Sequence, residues 1–145
     1  MSVTICFDFG NTRLKAAIFK NKALLEMRVL ENDHLETMQA LLHEIKPDKT
    51  ILSSVIHHDK AIETLLAAHS KFHLLGPASF INFTTPVGKP ETIGADRLAL
   101  VAAAVDLYPN QHNLIISLGT CITYNFVNIA HEFLGGSISP GMQMR

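Results

Sequence analysis

Residues 3–12 read VTICFDFGNT, and this stretch decides the fold. Residues 3–9 combine apolar, aromatic and β-branched side chains, a composition that is typical of a strand. Gly10 and Asn11 then form a turn signal, and residues 14–20 follow at hairpin distance. We therefore predict a strand that ends in a tight turn and returns as a second strand.

The same arrangement begins a second time at residue 113. Residues 113–118 form an apolar stretch that runs into Gly119 and Thr120, as residues 3–9 run into Gly10. Two such halves that face each other would enclose a nucleotide.

Helical spacing, capping residues and prolines divide the rest of the chain into further elements. Asp33 is a candidate N-cap and Pro47 ends the first helix, whereas residues 23–30 fit either a third strand or a helical turn. Residues 76–94 read as a long irregular loop, and such loops usually have a function. The predicted helices are 33–46, 59–69 and 95–107. The other predicted strands are 49–55, 71–75, 121–128 and 131–139.

Composition and charge exclude several classes of protein. The 145 residues include 12 basic and 13 acidic side chains, for a formal net charge of −1. No basic run marks a nucleic-acid surface, and no apolar stretch reaches the ~18 residues of a membrane span. The N-terminus lacks a basic region before its apolar run, so we expect no signal peptide and a cytoplasmic location. We expect Cys6 and Cys121 to stay reduced, and the histidines show no metal-ligand spacing.

The turn after the first strand offers groups that can surround a phosphate. Gly10 allows close backbone approach, Asn11 and Thr12 offer short polar side chains, and Lys15 adds positive charge. Asp8 would repel a phosphate unless a divalent cation lay between them, so a phosphate site here makes Asp8 a ligand of Mg²⁺ or its waters. The alternative is an ordinary hairpin in which Asp8 and Asn11 satisfy the turn amides.

Asp96 and Arg97 lie where the long loop enters the third predicted helix. A carboxylate base beside an anion-binding arginine is a suitable pair for phosphorylating a hydroxyl. The alternative is that Asp96 caps the helix N-terminus. Capping would explain Asp96, but it would not explain why a long loop precedes the helix.

Two further segments contain candidates. Gly119, Thr120 and Thr123 could hold the phosphates or sugar of a nucleotide, although such residues are also common on strands. Residues 135–141, GGSISPG, either allow close backbone approach or bend a strand.

In their order, these motifs resemble those of the type III pantothenate kinases, which belong to the superfamily of acetate and sugar kinases, actin and heat-shock ATPases. The family's D-x-G-N-T/S turn matches Asp8, Gly10, Asn11 and Thr12, and its S-S-V strand end matches Ser53, Ser54 and Val55. Its P-x-x-x-G-x-D-R loop matches Pro90, Gly94, Asp96 and Arg97, and its G-T-x-x-T-x-D strand matches Gly119, Thr120 and Thr123. Its G-G-x-I-x-P-G loop matches Gly135, Gly136, Ile138, Pro140 and Gly141.

The resemblance implies a fold and an activity. The fold would be α/β: a ribonuclease H-like (actin-like ATPase) domain with a mixed sheet and flanking helices, in residues 1–110. Residues 111–145 would begin a second, similar domain of a longer protein, which would be a homodimer. The activity would be ATP-dependent phosphorylation of pantothenate to 4′-phosphopantothenate, the first step of coenzyme A biosynthesis. An accessory transcriptional regulator of the same family and a non-catalytic nucleotide-binding fragment stay open as alternatives.

The resemblance also implies roles for individual residues. Asp96 would be the general base, and Gly94, Ala95 and Arg97 would bind the substrate. Asp8 would hold Mg²⁺, while Gly10, Asn11, Thr12, Lys15, Gly119, Thr120 and Thr123 would bind ATP.

Two positions depart from the family pattern. Asn125 stands where the motif has an aspartate that helps to hold a monovalent cation such as K⁺ or NH₄⁺. Because an amide oxygen carries no full charge, we expect activation by K⁺ to be weakened or lost. Val87 stands where many members have a tyrosine.

Overall fold

The computed structural model describes residues 1–86 and 88–144, so the departure at Val87 lies outside the described residues. The chain forms two compact units, Met1–Leu75 and a second that begins at Gly76. The predicted boundary after residue 110 concerns the domains of the whole protein and stays a prediction.

The strands are β1 (Val3–Phe9), β2 (Leu14–Lys20), β3 (Ala23–Leu30), β4 (Lys49–Ser54), β5 (Lys71–Leu74), β6 (Asn113–Leu118), β7 (Cys121–Val127) and β8 (Phe133–Pro140). The helices are α1 (Leu35–Ile45), α2 (Lys60–His69) and α3 (Ala95–Leu107), with short 3₁₀ turns at Pro90–Thr92 and Met142–Met144.

The first unit is a five-stranded mixed sheet with helices on one face. Its strand order is β3-β2-β1-β4-β5; β1, β2 and β3 are antiparallel, and β4 and β5 run parallel to β1. Alternate residues of β1, namely Ile5, Phe7 and Phe9, are buried in one core with residues of α1 and α2. Because side chains alternate across a strand, Cys6 and Asp8 lie on the opposite face of the sheet.

A local side-chain contact shifts the predicted start of the first helix, and one predicted strand is shorter than expected. The first helix begins at Leu35 after His34, and Asp33 is not its N-cap. Instead Asn32 closes the preceding turn, since its Oδ1 accepts from the backbone N–H of His34 and from Thr37 Oγ1. The strand predicted at 49–55 ends at Ser54, and residues 23–30 form a strand because they pair with β2.

The second unit is an antiparallel three-stranded sheet, β6-β7-β8, with α3 packed on one face. The long loop is tied to this unit, because Thr84 forms a bridge with Glu132 and Phe83 is buried in the core. The strand predicted at 131–139 begins instead at Phe133, since His131 has a φ of 60° and Asn128 Oδ1 accepts two backbone N–H bonds in the turn before it. None of the helices in the described ranges has both the length and the apolarity of a membrane span.

Candidate active site

Asp8 lies near the end of β1 and faces Lys15 across the hairpin. Lys15 Nζ lies 3.4 Å from Asp8 Oδ2, and both side chains are about half exposed, at 39% and 45%. The turn itself closes through the backbone, where the Gly10 N–H donates to the Arg13 carbonyl oxygen at 3.1 Å. Among the described contacts, the Asp8 carboxylate therefore pairs with a lysine rather than with the turn amides.

A buried hydroxyl lies next to Asp8 in the sheet. Asp8 on β1 is in register with Ser53 on β4, whose Oγ is buried without a hydrogen-bond partner among the described residues. Sequence reasoning did not assign Ser53 to a site, because the parallel pairing of β1 with β4 cannot be read from either segment alone. A buried polar atom without a partner usually marks a place where a water or a ligand binds.

The donors around Asp8 fit a Mg²⁺ ion that is held mostly by water and phosphate. Within residues 1–86 and 88–144, no three His, Cys, Asp or Glu side chains come together into an all-protein cage. Mg²⁺ typically keeps several waters and uses one or two carboxylates together with substrate phosphates. The single half-exposed carboxylate of Asp8 meets that requirement.

Asp96 occupies the first turn of α3. Gly94 is the N-cap residue, with φ −59° and ψ 143°, and Ala95 begins the helix. Asp96 Oδ1 accepts from the backbone N–H of Arg97 at 2.8 Å. One carboxylate oxygen therefore satisfies a first-turn amide, which leaves Oδ2 as the oxygen that a ligand can use.

The side chain of Arg97 is bound within the second unit. Its Nε donates to Asn125 Oδ1 at 2.6 Å, and its guanidinium carbon lies 5.7 Å from the centre of the Phe133 ring. Asn125 is 0% exposed, and its Nδ2 donates to Thr123 Oγ1 at 3.4 Å. Sequence reasoning missed Phe133, because its place over Arg97 depends on how α3 packs on the sheet.

Asn125 does not fit the monovalent-cation site that the resemblance implies. Its carbonyl oxygen already accepts a hydrogen bond from a guanidinium cation, and the side chain is buried. A K⁺ ion bound to this oxygen would lie against a second positive charge in a region of low dielectric constant.

The predicted nucleotide contacts of the second unit lie on β7 and on the turn before it. The Gly119 N–H donates to the Cys121 carbonyl oxygen at 3.0 Å, and the Gly141 N–H donates to the Thr120 carbonyl oxygen at 3.0 Å. Thr123 lies on the buried face of β7, where it contacts Asn125. The structure therefore brings Thr123 next to Asn125 and Arg97, while Gly119 and Thr120 form the turn that Gly141 packs against.

Comparison with known proteins identifies the relatives of this chain. The family model described as type III pantothenate kinase matches residues 4–145. A type III pantothenate kinase of Christiangramia forsetii is 41% identical over 145 residues, which cover 99% of this chain and 60% of that protein. Those of Flavobacterium johnsoniae and Bacteroides fragilis are each 35% identical, covering 95% and 99% of this chain and 57% and 59% of their own lengths. The chain thus spans about three fifths of the length of these curated relatives.

A solved structure shares the fold. The type II variant of the Aquifex aeolicus Ppx/GppA phosphatase superposes with a TM-score of 0.51 at 15% identity, covering 97% of this chain and 52% of that one. At that identity the likeness shows the fold alone, and it confirms the predicted α/β, ribonuclease H-like class. With a family model matched over almost every residue and relatives that share up to 41% of its sequence, the chain belongs to the type III pantothenate kinase family.

Proposed function

We propose that the whole protein transfers the γ-phosphoryl group of ATP to the primary hydroxyl of pantothenate, which gives 4′-phosphopantothenate and ADP. The observation that carries this proposal is the match to pantothenate kinases along the whole chain, which includes the motifs with Asp8 and Asp96. In phosphoryl transfer, catalysis depends mainly on positioning and on neutralising charge. Each candidate residue is therefore assigned one of those two tasks.

The first unit would bind the phosphates of ATP. Asp8 would hold Mg²⁺ directly or through its waters, and that ion would neutralise negative charge on the phosphates. Lys15 lies 3.4 Å from the same carboxylate, so its ammonium group would approach a phosphate oxygen near Asp8. Backbone N–H groups and short side chains of the turn would complete the contacts, at Gly10, Asn11 and Thr12. In the second unit, the proposed nucleotide contacts are Gly119, Thr120 and Thr123.

Asp96 would be the general base. As the oxygen–phosphorus bond to pantothenate forms and the bond from the γ-phosphorus to the bridging oxygen breaks, the hydroxyl proton passes to Asp96 Oδ2. Its Oδ1 is held by the Arg97 N–H at 2.8 Å, which fixes the direction of the carboxylate. Gly94 and Ala95 directly precede Asp96, so their backbone would lie beside the pantothenate hydroxyl. We further propose that the full-length enzyme is a cytoplasmic homodimer.

The experiment is an assay of full-length protein with ATP, Mg²⁺ and pantothenate, with phosphopantothenate measured by mass spectrometry. Asp96→Asn keeps a side chain that caps a helix about as well as Asp, so the free energy of unfolding should change by less than ~1 kcal/mol. Its kcat should fall by about 10²–10⁴-fold, because the amide cannot accept the proton. Asp106→Asn makes the same change at an exposed position on the same helix and serves as the control.

The outcomes separate the candidate functions. Absence of phosphopantothenate from the wild-type assay would overturn the proposal. Nucleotide binding without turnover would instead support the non-catalytic alternative. Near-native turnover by the Asp96→Asn variant would show that Asp96 is only a structural residue of the helix.

A further inference from the structure

We propose that the guanidinium group of Arg97 takes the place of a monovalent cation at Asn125 and positions Asp96 for the reaction. This inference rests on the proposed function, since Asp96 is the base only if the protein is a kinase. It makes Arg97 a positioning residue, which acts on the reaction through Asp96.

The first step of the argument is that the Arg97 cation has a built site. Its Nε donates a charge-assisted hydrogen bond of 2.6 Å to Asn125 Oδ1. On another side, the ring of Phe133 offers its π-electrons at 5.7 Å from the guanidinium carbon. Asn125 and Phe133 are both 0% exposed and belong to the paired strands β7 and β8. The two side chains that contact the guanidinium are therefore fixed in position by the packing of the sheet.

The second step concerns charge. Asn125 contributes only an amide dipole, and the nearest side chain on the same face of β7 is the uncharged Thr123. Arg97 is therefore the positive charge that this pocket contains. A metal cation at the same oxygen would be repelled by the guanidinium and attracted by no carboxylate on Asn125, so we expect no K⁺ to bind at this oxygen.

The third step connects this pocket to the base. The backbone N–H of Arg97 donates both to Asp96 Oδ1 at 2.8 Å and to the Gly94 carbonyl oxygen at 3.0 Å. The side chain of the same residue is tied to Asn125 in the sheet. The hydrogen bond between Arg97 and Asn125 therefore ties the first turn of α3, which contains Asp96, to strand β7.

The test begins with full-length wild-type enzyme in K⁺, Na⁺ and tetramethylammonium chloride at one ionic strength. We expect the same kcat in all three salts. A kcat that rises with K⁺ at constant ionic strength would overturn the proposal. Because this arm needs a working enzyme, absence of phosphopantothenate in every salt would instead refute the proposed function.

The second arm removes the cation. Arg97→Ala should lower kcat by ~10²-fold through misplacement of the base. Added ethylguanidinium should restore part of kcat, and Arg97→Lys, which keeps a positive charge, should retain more activity than Arg97→Ala. Arg28→Ala is the control, because Arg28 pairs with Glu26 and Glu44 on the first unit. An unchanged kcat in Arg97→Ala, whatever its KM, would refute the positioning role.

The third arm has a readout that does not depend on activity. Arg97→Ala combined with Asn125→Asp leaves a buried carboxylate without its resident cation. This double variant should melt at a higher temperature in KCl than in tetramethylammonium chloride, whereas the wild type should show no difference. Equal melting temperatures of the double variant in the two salts would show that position 125 cannot bind a cation. That result would refute the proposal that the Arg97 guanidinium takes the place of a monovalent cation.

Discussion

Gly136 lies on β8 against the backbone of β7, and its replacement by alanine tests the packing of the second unit. A Cβ atom at this position would overlap the carbonyl oxygen of Tyr124. It would also lie 2.7 Å from the Tyr124 carbonyl carbon and 3.0 Å from the Cα atom of Asn125. All three atoms belong to the backbone of the paired strand, so no side chain can rotate away to make room.

The expected cost follows from that geometry. Inserting a methyl group into a packed region typically destabilises a protein by about 1–3 kcal/mol, and a rigid backbone neighbour places this site at the upper end. Alanine also restricts the unfolded chain more than glycine does, and this effect offsets about 0.4–1 kcal/mol of that destabilisation. We therefore expect Gly136→Ala to lower the free energy of unfolding by roughly 2 kcal/mol, or about 30-fold in the unfolding equilibrium. Gly76→Ala is the matched control, since its Cβ would meet nothing within 4 Å.

Urea unfolding of both variants and the wild type, followed by circular dichroism, measures this difference. With a denaturant slope of about 1–3 kcal/mol/M, the midpoint of Gly136→Ala should fall by roughly 1 M. Gly76→Ala should leave the midpoint unchanged or raise it, because alanine restricts the unfolded chain. Equal midpoints for the two variants would refute the reasoning, since they would show that β7 and β8 can separate at no cost.

Two further predictions concern titratable groups. Hydrogen bonds from Arg28 lower the pKa of Glu26 and Glu44 below the ordinary value of 4.5, so these pairs stabilise the fold above that pH and lose their effect as the pH falls through the lowered values. Melting curves should therefore show that Arg28→Gln loses less stability than the wild type on acidification below about pH 4.5, and parallel curves would contradict this. Burial raises the pKa of the free Cys6 thiol, so iodoacetamide should alkylate Cys6 more slowly in the native protein than in urea at about pH 8. Equal rates in a peptide-resolved mass-spectrometric time course would exclude that effect of burial.

Local patterns in the sequence were sufficient for most of the secondary structure. Residues 95–107 were predicted as a helix and form α3 with those bounds, because the alanine-rich segment has strong helix formers between Gly94 and Pro109. The hairpin of β1 and β2 followed from the turn signal at Gly10. The predicted family is also confirmed, because its motifs are short stretches whose spacing is visible in the chain.

The same patterns could not place residues that depend on packing between distant segments. The register of β1 with β4 puts Ser53 beside Asp8, and no local signal specifies that pairing. Even the start of α1 was missed by one residue, because the N-cap is His34 and the side chain of Asn32 closes the turn before it.

By itself, the sequence determined most of the helices and strands, the family and the candidate residues, because periodicity, turn chemistry and motif spacing are properties of short segments. Only the tertiary structure decided that the Arg97 side chain contacts Asn125 and Phe133. The physical reason is that a hydrogen bond of 2.6 Å between α3 and β7 depends on how the helix is rotated and shifted on the sheet. That rotation is set by the burial of the whole apolar face of α3, which no stretch around Arg97 or Asn125 encodes alone.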